Sequence, residues 1–136
     1  MTVTEVEATA WDMVRTMLLV RCGGRCEITG APLEPDWNAH HRRPRGMGGT
    51  RRPDRDSLAN LIAVNGHGTT GAHGWAESHR ADALSRGILV PQAADPAQVP
   101  LVLWSGRVVL LDPDGPWYKD NPSWHWWIGP LPGPDF

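Results

Sequence analysis

The chain has 136 residues, of which 40% are hydrophobic, and 15 acidic residues against 13 basic ones give it a formal net charge of −2. This length fits one domain with a modest core, and the charge balance excludes a protein that is basic throughout. With two cysteines, the chain is not a disulfide scaffold of the secreted kind. Its first residues lack signal-peptide features and no segment is apolar enough to span a membrane, so we expect a cytoplasmic, intracellular protein.

The N-terminal segment predicts a helix. Thr4 and Glu7 have the spacing of a capping box, and apolar side chains then recur at helical spacing. Gly23 and Gly24 end this pattern. Residues 25–37, which follow, are short of periodic apolar residues and rich in turn-forming ones, so we expect turns there.

The middle of the chain predicts strand, loop, strand and helix in that order. His40 and His41 are expected on a short strand, and residues 60–64 on a second one. The loop between the two strands, residues 42–56, is rich in arginine, glycine and proline. Residues 72–86 predict one helix, which a glycine ends.

The last part of the chain has a different character. Residues 93–98 have the composition of a linker. Two apolar runs, 99–104 and 107–111, are separated by a Ser-Gly pair and predict a β-hairpin. The tail from Asp112 is rich in Pro, Gly and Trp and has no period that indicates a helix or a strand.

The adjacent histidines His40 and His41 are the strongest indication of chemistry in the chain. Neighbouring side chains on a strand point to opposite faces. One imidazole can therefore hold a metal ion while the other faces a substrate. This arrangement favours metal-assisted hydrolysis.

Arginines crowd the loop after the doublet: Arg42, Arg43, Arg45, Arg51, Arg52 and Arg55. Such a run is either a solvated loop or a phosphate-facing patch, and the neighbouring histidines favour the patch. The excess of arginine over the single lysine, Lys119, suits phosphate but also fits a GC-rich genome. The candidates for phosphate contacts in such a patch are Arg42, Arg43, Arg45, Arg51 and Arg52.

Three segments together carry a resemblance to a known family. Residues 40–49, HHRRPRGMGG, resemble the opening of HNH endonucleases, especially the small phage-encoded kind. Residues 57–64, SLANLIAV, resemble the central asparagine strand of that family, and residues 68–75, GTTGAHGW, resemble its final histidine turn. Weaker similarity extends the resemblance over residues 10–112.

The resemblance implies an α+β fold with a ββα-metal core. The core and the N-terminal helix would occupy residues 1–91. A C-terminal β-hairpin with a Trp/Pro-rich tail, residues 92–136, would pack on the same domain.

The resemblance also implies a role for each site residue. His40 and His73 would bind a divalent ion as neutral imidazoles, and Glu77, one helical turn after His73, would be the third ligand. Because the protein supplies only these three ligands, coordination positions stay open for water and a phosphate oxygen, as a catalytic ion needs. His41 would be the general base, and Asn60 would orient it by holding its loop backbone. Imidazole-rich sites accept several ions, so the cofactor is Mg²⁺, Mn²⁺, Ni²⁺ or Zn²⁺.

The chain departs from the family at the structural zinc that many HNH proteins hold on two cysteine pairs. Cys26 stands in the first of the four places. Other residues stand in the remaining three: Thr29, Asn65 and Ala72. We therefore expect this zinc to be absent and packing to replace it. The alternative is an improvised zinc site formed by Cys22, Cys26 and His67.

Tryptophan is the expected replacement, because the chain has eight indoles and each can bury on the order of 200 Å². Trp11, Trp37 and Trp75 are expected around the lost zinc. The others are expected against the hairpin and tail: Trp104, Trp117, Trp124, Trp126 and Trp127. For the last three, which surround His125, a docking surface for a partner or stacking on nucleobases is an equal alternative.

The predicted function is that of a metal-dependent HNH DNA endonuclease, which nicks or cleaves double-stranded DNA. Its similarity to phage proteins implies DNA as a partner, a phage-infected bacterial host, and a role in genome packaging beside the terminase. Two alternatives stay open. One is a catalytically inactive HNH-like module that binds DNA or assists packaging, and the other is a structural metal-binding protein with a Trp-rich interaction tail.

Overall fold

The computed structural model describes residues 3–44, 54–66 and 70–120, and for residues 3–9 it describes the backbone alone. Several residues named above lie outside this set: Arg45, Arg51, Arg52, His67, His125, Trp124, Trp126, Trp127 and the side chains of Thr4 and Glu7. The predicted α+β class is confirmed, because a long helix precedes two small antiparallel sheets. No helix within the described residues is long and apolar enough to cross a membrane.

The first element is the long helix α1 (Val3–Cys22), as the apolar pattern predicts. Gly23, which follows it, has a φ of 64°, a conformation that glycine adopts without the steric cost of a Cβ. Leu18 is fully buried on the inner face of α1, and Val14 and Met17 pack beside it. The opposite face of α1 is exposed, so the helix covers the core from one side.

The first sheet joins β1 (Asn38–His41) and β2 (Leu61–Val64) in an antiparallel pair. All four residues of β2 are buried. Leu61 and Ala63 pack in the cluster under α1, whereas Ile62 and Val64 pack in a second cluster on the other side of the sheet. Because alternate strand residues point to opposite faces, this small sheet separates two layers of core.

The second predicted strand begins one residue later than expected. Asn60 ends a short 3₁₀-helix, Leu58–Asn60, that Ser57 caps by accepting a hydrogen bond from the backbone N–H of Ala59. Asn60 is therefore buried at the junction between the loop and β2, with only 1% of its surface exposed.

The prediction of a single helix over residues 72–86 is wrong. Two helices, α2 (Gly71–Ser78) and α3 (Arg80–Ser85), meet at His79, whose φ of −121° and ψ of 54° leave the helical region. The Ser78 hydroxyl donates to the Gly74 carbonyl, and local side-chain bonds of this kind compete with helix continuation. The His79 ring stacks on Trp75, with 5.1 Å between the ring centroids.

The second sheet contains β3 (Leu101–Val102), β4 (Val108–Leu111) and β5 (Tyr118–Asp120) in that order. The predicted hairpin is confirmed, with a shorter first strand than expected, and β5 is an addition that the tail composition does not indicate. Within the segment expected to be a linker, Pro96–Gln98 forms a 3₁₀-helix capped by Asp95. Buried residues of β3 and β4 share one cluster with those of β2 and α2.

Arg42 is a core residue, which corrects its assignment to a DNA-facing patch. None of its surface is exposed. Its guanidinium donates to four backbone carbonyls at 2.7–3.0 Å, those of Ala59, Gly87, Pro96 and Val99. A cation in this position satisfies four backbone carbonyls and, with no exposed surface, cannot reach a phosphate of a bound DNA.

The assignment of Arg43 to the DNA-facing patch is also wrong. It is 4% exposed, donates to the carbonyl of Ala94 and forms an ion pair with Asp54. Its guanidinium therefore ties the loop after β1 to the segment before the second sheet. Arg42 and Arg43 together stabilise the fold and do not form the predicted patch.

The tryptophans fulfil their predicted packing role only in part. Trp37 is buried, and Trp11 and Trp75 are partly buried against the two core clusters. Trp104 and Trp117, expected against the hairpin, are 45% and 54% exposed. Both indoles are thus largely surface groups, and other contacts hold this part of the fold.

A buried ion pair supplies part of that support. Arg21 of α1 binds Glu27 through two hydrogen bonds of 2.8 and 3.1 Å, and the hydroxyl of Tyr118 donates to the same carboxylate at 2.6 Å. Burial raises the pKa of Tyr118, and the negative charge of Glu27 raises it further. The pair thus joins α1, the turn after it and β5.

Candidate metal centre

Two elements bring three of the predicted ligands together. His40 lies on β1, and His73 and Glu77 lie one turn apart on α2. One potential ligand atom from each of the three side chains lies within 4.8 Å of the other two. This is the only group of three or more His, Cys, Asp or Glu side chains with such spacing in the described part of the chain. These three residues could hold a metal ion.

His40 is kept neutral and oriented by its surroundings. Its side chain is buried with 3% exposure, and burial followed by the proximity of His73 lowers its pKa to about 3. The Ile88 carbonyl lies 3.3 Å from Nε2 and can only accept, so Nε2 carries the hydrogen. The lone pair is then on Nδ1. A neutral imidazole held through its other nitrogen is the usual form of a histidine ligand.

His73 is placed by contacts between the residues that follow β2 and the start of α2. Its backbone N–H donates to the Asn65 carbonyl at 3.3 Å. Gly66 has a φ of 86°, and a Cβ there would lie 2.3 Å from the Thr70 carbonyl oxygen. Only glycine allows the chain to turn this closely. The His73 ring then lies 5.0 Å from the His40 ring, at an angle of 79°.

The places of the missing zinc ligands contain ordinary packing and hydrogen bonds. Asn65 accepts from the Glu34 N–H at 2.8 Å and donates to the Pro32 carbonyl at 3.0 Å, which ties the turn before β1 to the end of β2. Cys26 and Ala72 are buried in the core. His67, one of the three residues of the alternative zinc site, lies outside the described residues.

His41 and His40 border the same cavity, although they are neighbours on β1. This open cavity has a volume of about 330 Å³. Its lining includes the three candidate ligands, His41 and two further residues, Trp11 and Pro44. The strand ends at His41, so alternation of side chains does not carry the second ring to a separate surface. A substrate group in this cavity would meet both members of the doublet.

Two residues hold the loop next to His41. Asn60 accepts from the Arg43 N–H and donates to the Arg55 carbonyl, both at 2.8 Å. Asp56, to which the sequence analysis assigns no role, accepts from His41 Nε2 at 2.8 Å. No sequence pattern links Asp56 to His41, so only the folded structure shows that these two side chains are in contact.

The donor set fits a divalent cation. Two imidazoles and one carboxylate suit zinc and other first-row metals, and the carboxylate extends the range towards Mn²⁺ and Mg²⁺. Three protein ligands leave coordination positions open, which is typical of catalytic ions. Glu77 is 46% exposed and lies 3.5 Å from Arg80, so it can turn towards an ion at little cost.

Metal titration tests this set directly. Wild-type protein is expected to bind one Ni²⁺ or Zn²⁺ ion, measured by isothermal titration calorimetry. Glu77→Gln should weaken binding by at least about 10-fold, or about 1.4 kcal/mol, because an amide is a poorer ligand than a carboxylate. Glu34→Gln is the matched control, since Glu34 is an exposed carboxylate outside the site. Equal affinities for these two variants would exclude Glu77 as a ligand.

No protein-family model, no curated protein and no solved structure matches this chain.

Proposed function

We propose that the protein is a metal-dependent DNA endonuclease of the HNH, ββα-metal class. The observation that carries the proposal is the convergence of His40, His73, Glu77 and His41 on one cavity. His40 and His41 lie on β1, His73 and Glu77 lie on α2, and β2 lies between these two elements in the chain. A metal-ligand set next to a separate imidazole is what hydrolysis of a phosphodiester needs.

Each residue has one task in the proposed reaction. His40, His73 and Glu77 would hold a divalent cation, which when bound neutralises charge on the scissile phosphate and on the leaving oxygen. His41 removes a proton from the attacking water, a step that typically contributes about 10²–10⁴-fold. Asn60 does not react and holds the loop that carries His41.

The proposed DNA contacts are fewer than the arginine count implies. Arg42 and Arg43 are core residues. The expected phosphate contacts of Arg45, Arg51 and Arg52 stay predictions, because these residues lie outside the described part of the chain. Arg55, whose side chain is 29% exposed beside Asp56, is a further candidate at the edge of the site. Cooperation with a packaging terminase stays a prediction from the resemblance alone.

The inactive DNA-binding alternative is less favoured. It depends mainly on a basic loop, and two of the five arginines assigned to that loop are buried. It also leaves the assembled ligand set and the neighbouring His41 without a task. A structural metal site would account for the ligands but would not need a cavity beside them.

The test is nicking of supercoiled plasmid DNA. Wild type is expected to nick in the presence of at least one of Mg²⁺, Mn²⁺, Ni²⁺ or Zn²⁺ and to stop when EDTA is added. His73→Ala should lose this activity, because it removes a ligand from α2, whereas Glu34→Gln should retain it. A wild-type protein that binds metal but never nicks DNA would contradict the enzyme and support the binding module.

A further inference from the structure

The carboxylate of Asp56 forms a pair with the proposed general base. Its Oδ1 lies 2.8 Å from Nε2 of His41, in the turn that precedes the 3₁₀-helix of Asn60. The His41 side chain is 23% exposed and the Asp56 side chain is 49% exposed, so the pair lies at the protein surface beside the cavity. We infer that Asp56 is a positioning residue for His41, an inference that rests on the nuclease function proposed above.

The contact determines which nitrogen of His41 can act. A carboxylate is an acceptor, so Nε2 of His41 carries the hydrogen and donates to Asp56. The lone pair of the neutral ring is then on Nδ1. This nitrogen accepts the proton of the attacking water, and the resulting imidazolium is stabilised by the carboxylate on its opposite side. One proton moves from water to Nδ1, and the oxygen of that water forms the new bond to phosphorus while the bond from phosphorus to the leaving sugar oxygen breaks. The leaving oxygen departs with the electron pair of that bond; a bound metal ion would neutralise its charge, and a solvent water protonates it.

A partly exposed imidazole without such a partner would rotate among several side-chain conformers. The bond to Asp56 restricts the ring, because the acceptor is held by the loop backbone. Misplacing a reacting group by about 1 Å can lower a rate by about 10²-fold. Restriction of the ring is therefore the contribution that we assign to Asp56.

Asn60 holds both sides of this pair without needing contact with either ring or carboxylate. Its amide oxygen accepts from Arg43, two residues after His41, and its amide nitrogen donates to the carbonyl of Arg55, the neighbour of Asp56. The Asn60 carbonyl also accepts from the Arg42 N–H at 2.8 Å. The central asparagine thus brings the two arms of the loop together and sets the distance between His41 and Asp56.

Arg55 completes the surroundings of the pair. Its Nε lies 3.8 Å from Oδ1 of Asp56, and this buried atom has no hydrogen-bond partner. Its positive charge favours a carboxylate at position 56 and holds that carboxylate in the turn. Asp56 therefore lies between a fixed cation and the imidazole that it orients.

The kinetic test uses Asp56→Ala with a DNA substrate and saturating metal. The variant is expected to lower kcat by up to about 10²-fold with little change in KM, and to bind the metal as tightly as wild type. Asp56→Asn keeps an acceptor oxygen and should recover part of kcat. Asp114→Ala is the control, because Asp114 is an exposed acid in the turn between β4 and β5, outside the cavity lining. An equal fall in kcat for Asp114→Ala would overturn the inference.

A double-mutant cycle separates positioning from loop stability. In a His41→Ala background, Asp56→Ala should cause no further loss, because the group that it positions is already gone. The same factor of loss in both backgrounds would show that Asp56 acts elsewhere and would overturn the inference.

A measurement without activity distinguishes failure of this inference from failure of the nuclease function. In ¹⁵N-labelled protein, the hydrogen-bonded Nε2 proton of His41 should give a resonance that His41→Ala removes. We expect this resonance in wild type and Asp114→Ala but not in Asp56→Ala. Its absence from wild type, or its persistence in Asp56→Ala, would contradict the pair even if the protein cleaves DNA. Its expected behaviour in a protein without nuclease activity would contradict only the proposed function.

Discussion

Replacing His41 by alanine should lower the rate of metal-dependent DNA cleavage by about 10²–10⁴-fold, the usual contribution of a general base. The ring borders the cavity beside the candidate ligands but is not one of them. Metal affinity should therefore stay at the wild-type level while cleavage falls. Single-turnover cleavage of a labelled duplex, with calorimetry of metal binding on the same samples, measures both quantities.

His79→Ala is a suitable control for this experiment. His79 is exposed and stacks on Trp75 at the junction of α2 and α3, outside the residues that line the cavity. The His79→Ala variant should cleave DNA at the wild-type rate. His40→Ala should differ from both, because it is expected to lose metal binding together with cleavage. Cleavage that survives His41→Ala would remove the base assignment and leave the ligand set intact.

The largest expected effect on stability belongs to Arg42→Met. The guanidinium is fully buried and satisfies four backbone carbonyls. Burial lowers its pKa to about 9, so the group stays charged at neutral pH. Methionine fills much of the volume but removes one donor from each of those carbonyls, of which the Pro96 carbonyl keeps the Val99 N–H; each group left unsatisfied costs about 1–3 kcal/mol before relaxation. We expect a net loss of about 3–5 kcal/mol, a large part of the typical stability of a small domain.

Urea denaturation measures this loss as a change in the free energy of unfolding. Arg107→Met is the matched control, because Arg107 is 45% exposed and its ion pair with Asp120 is a surface contact worth less than about 1 kcal/mol. Arg42→Lys should recover only part of the loss, since one ammonium cannot reach four carbonyls. A stability of Arg42→Met equal to that of Arg107→Met would show that the carbonyls find other donors.

Local signals in the sequence predict local structure well. The apolar period and the paired glycines place α1 and its end, and the Ser-Gly pair places the hairpin of β3 and β4. The break between α2 and α3 and the short strand β5 are missed. At the break between the helices, the Ser78 hydroxyl bonds to a carbonyl of its own helix. The strand β5 depends on pairing with β4. Neither feature produces a period of apolar residues that could be recognised in the sequence.

The candidate site, too, could be predicted from the sequence only in part. Sequence alone indicates an imidazole doublet, and it places His73 and Glu77 on one helix face, because residues four apart on a helix are neighbours. Which distant groups meet is decided by tertiary structure. His40 of β1 meets His73 of α2, Asp56 meets His41 at the end of the loop, and Arg42 enters the core by binding carbonyls 17 to 57 residues away. The residue type arginine, taken alone, predicts a charged side chain at the surface. A buried guanidinium becomes favourable only where several backbone carbonyls that need donors converge on it.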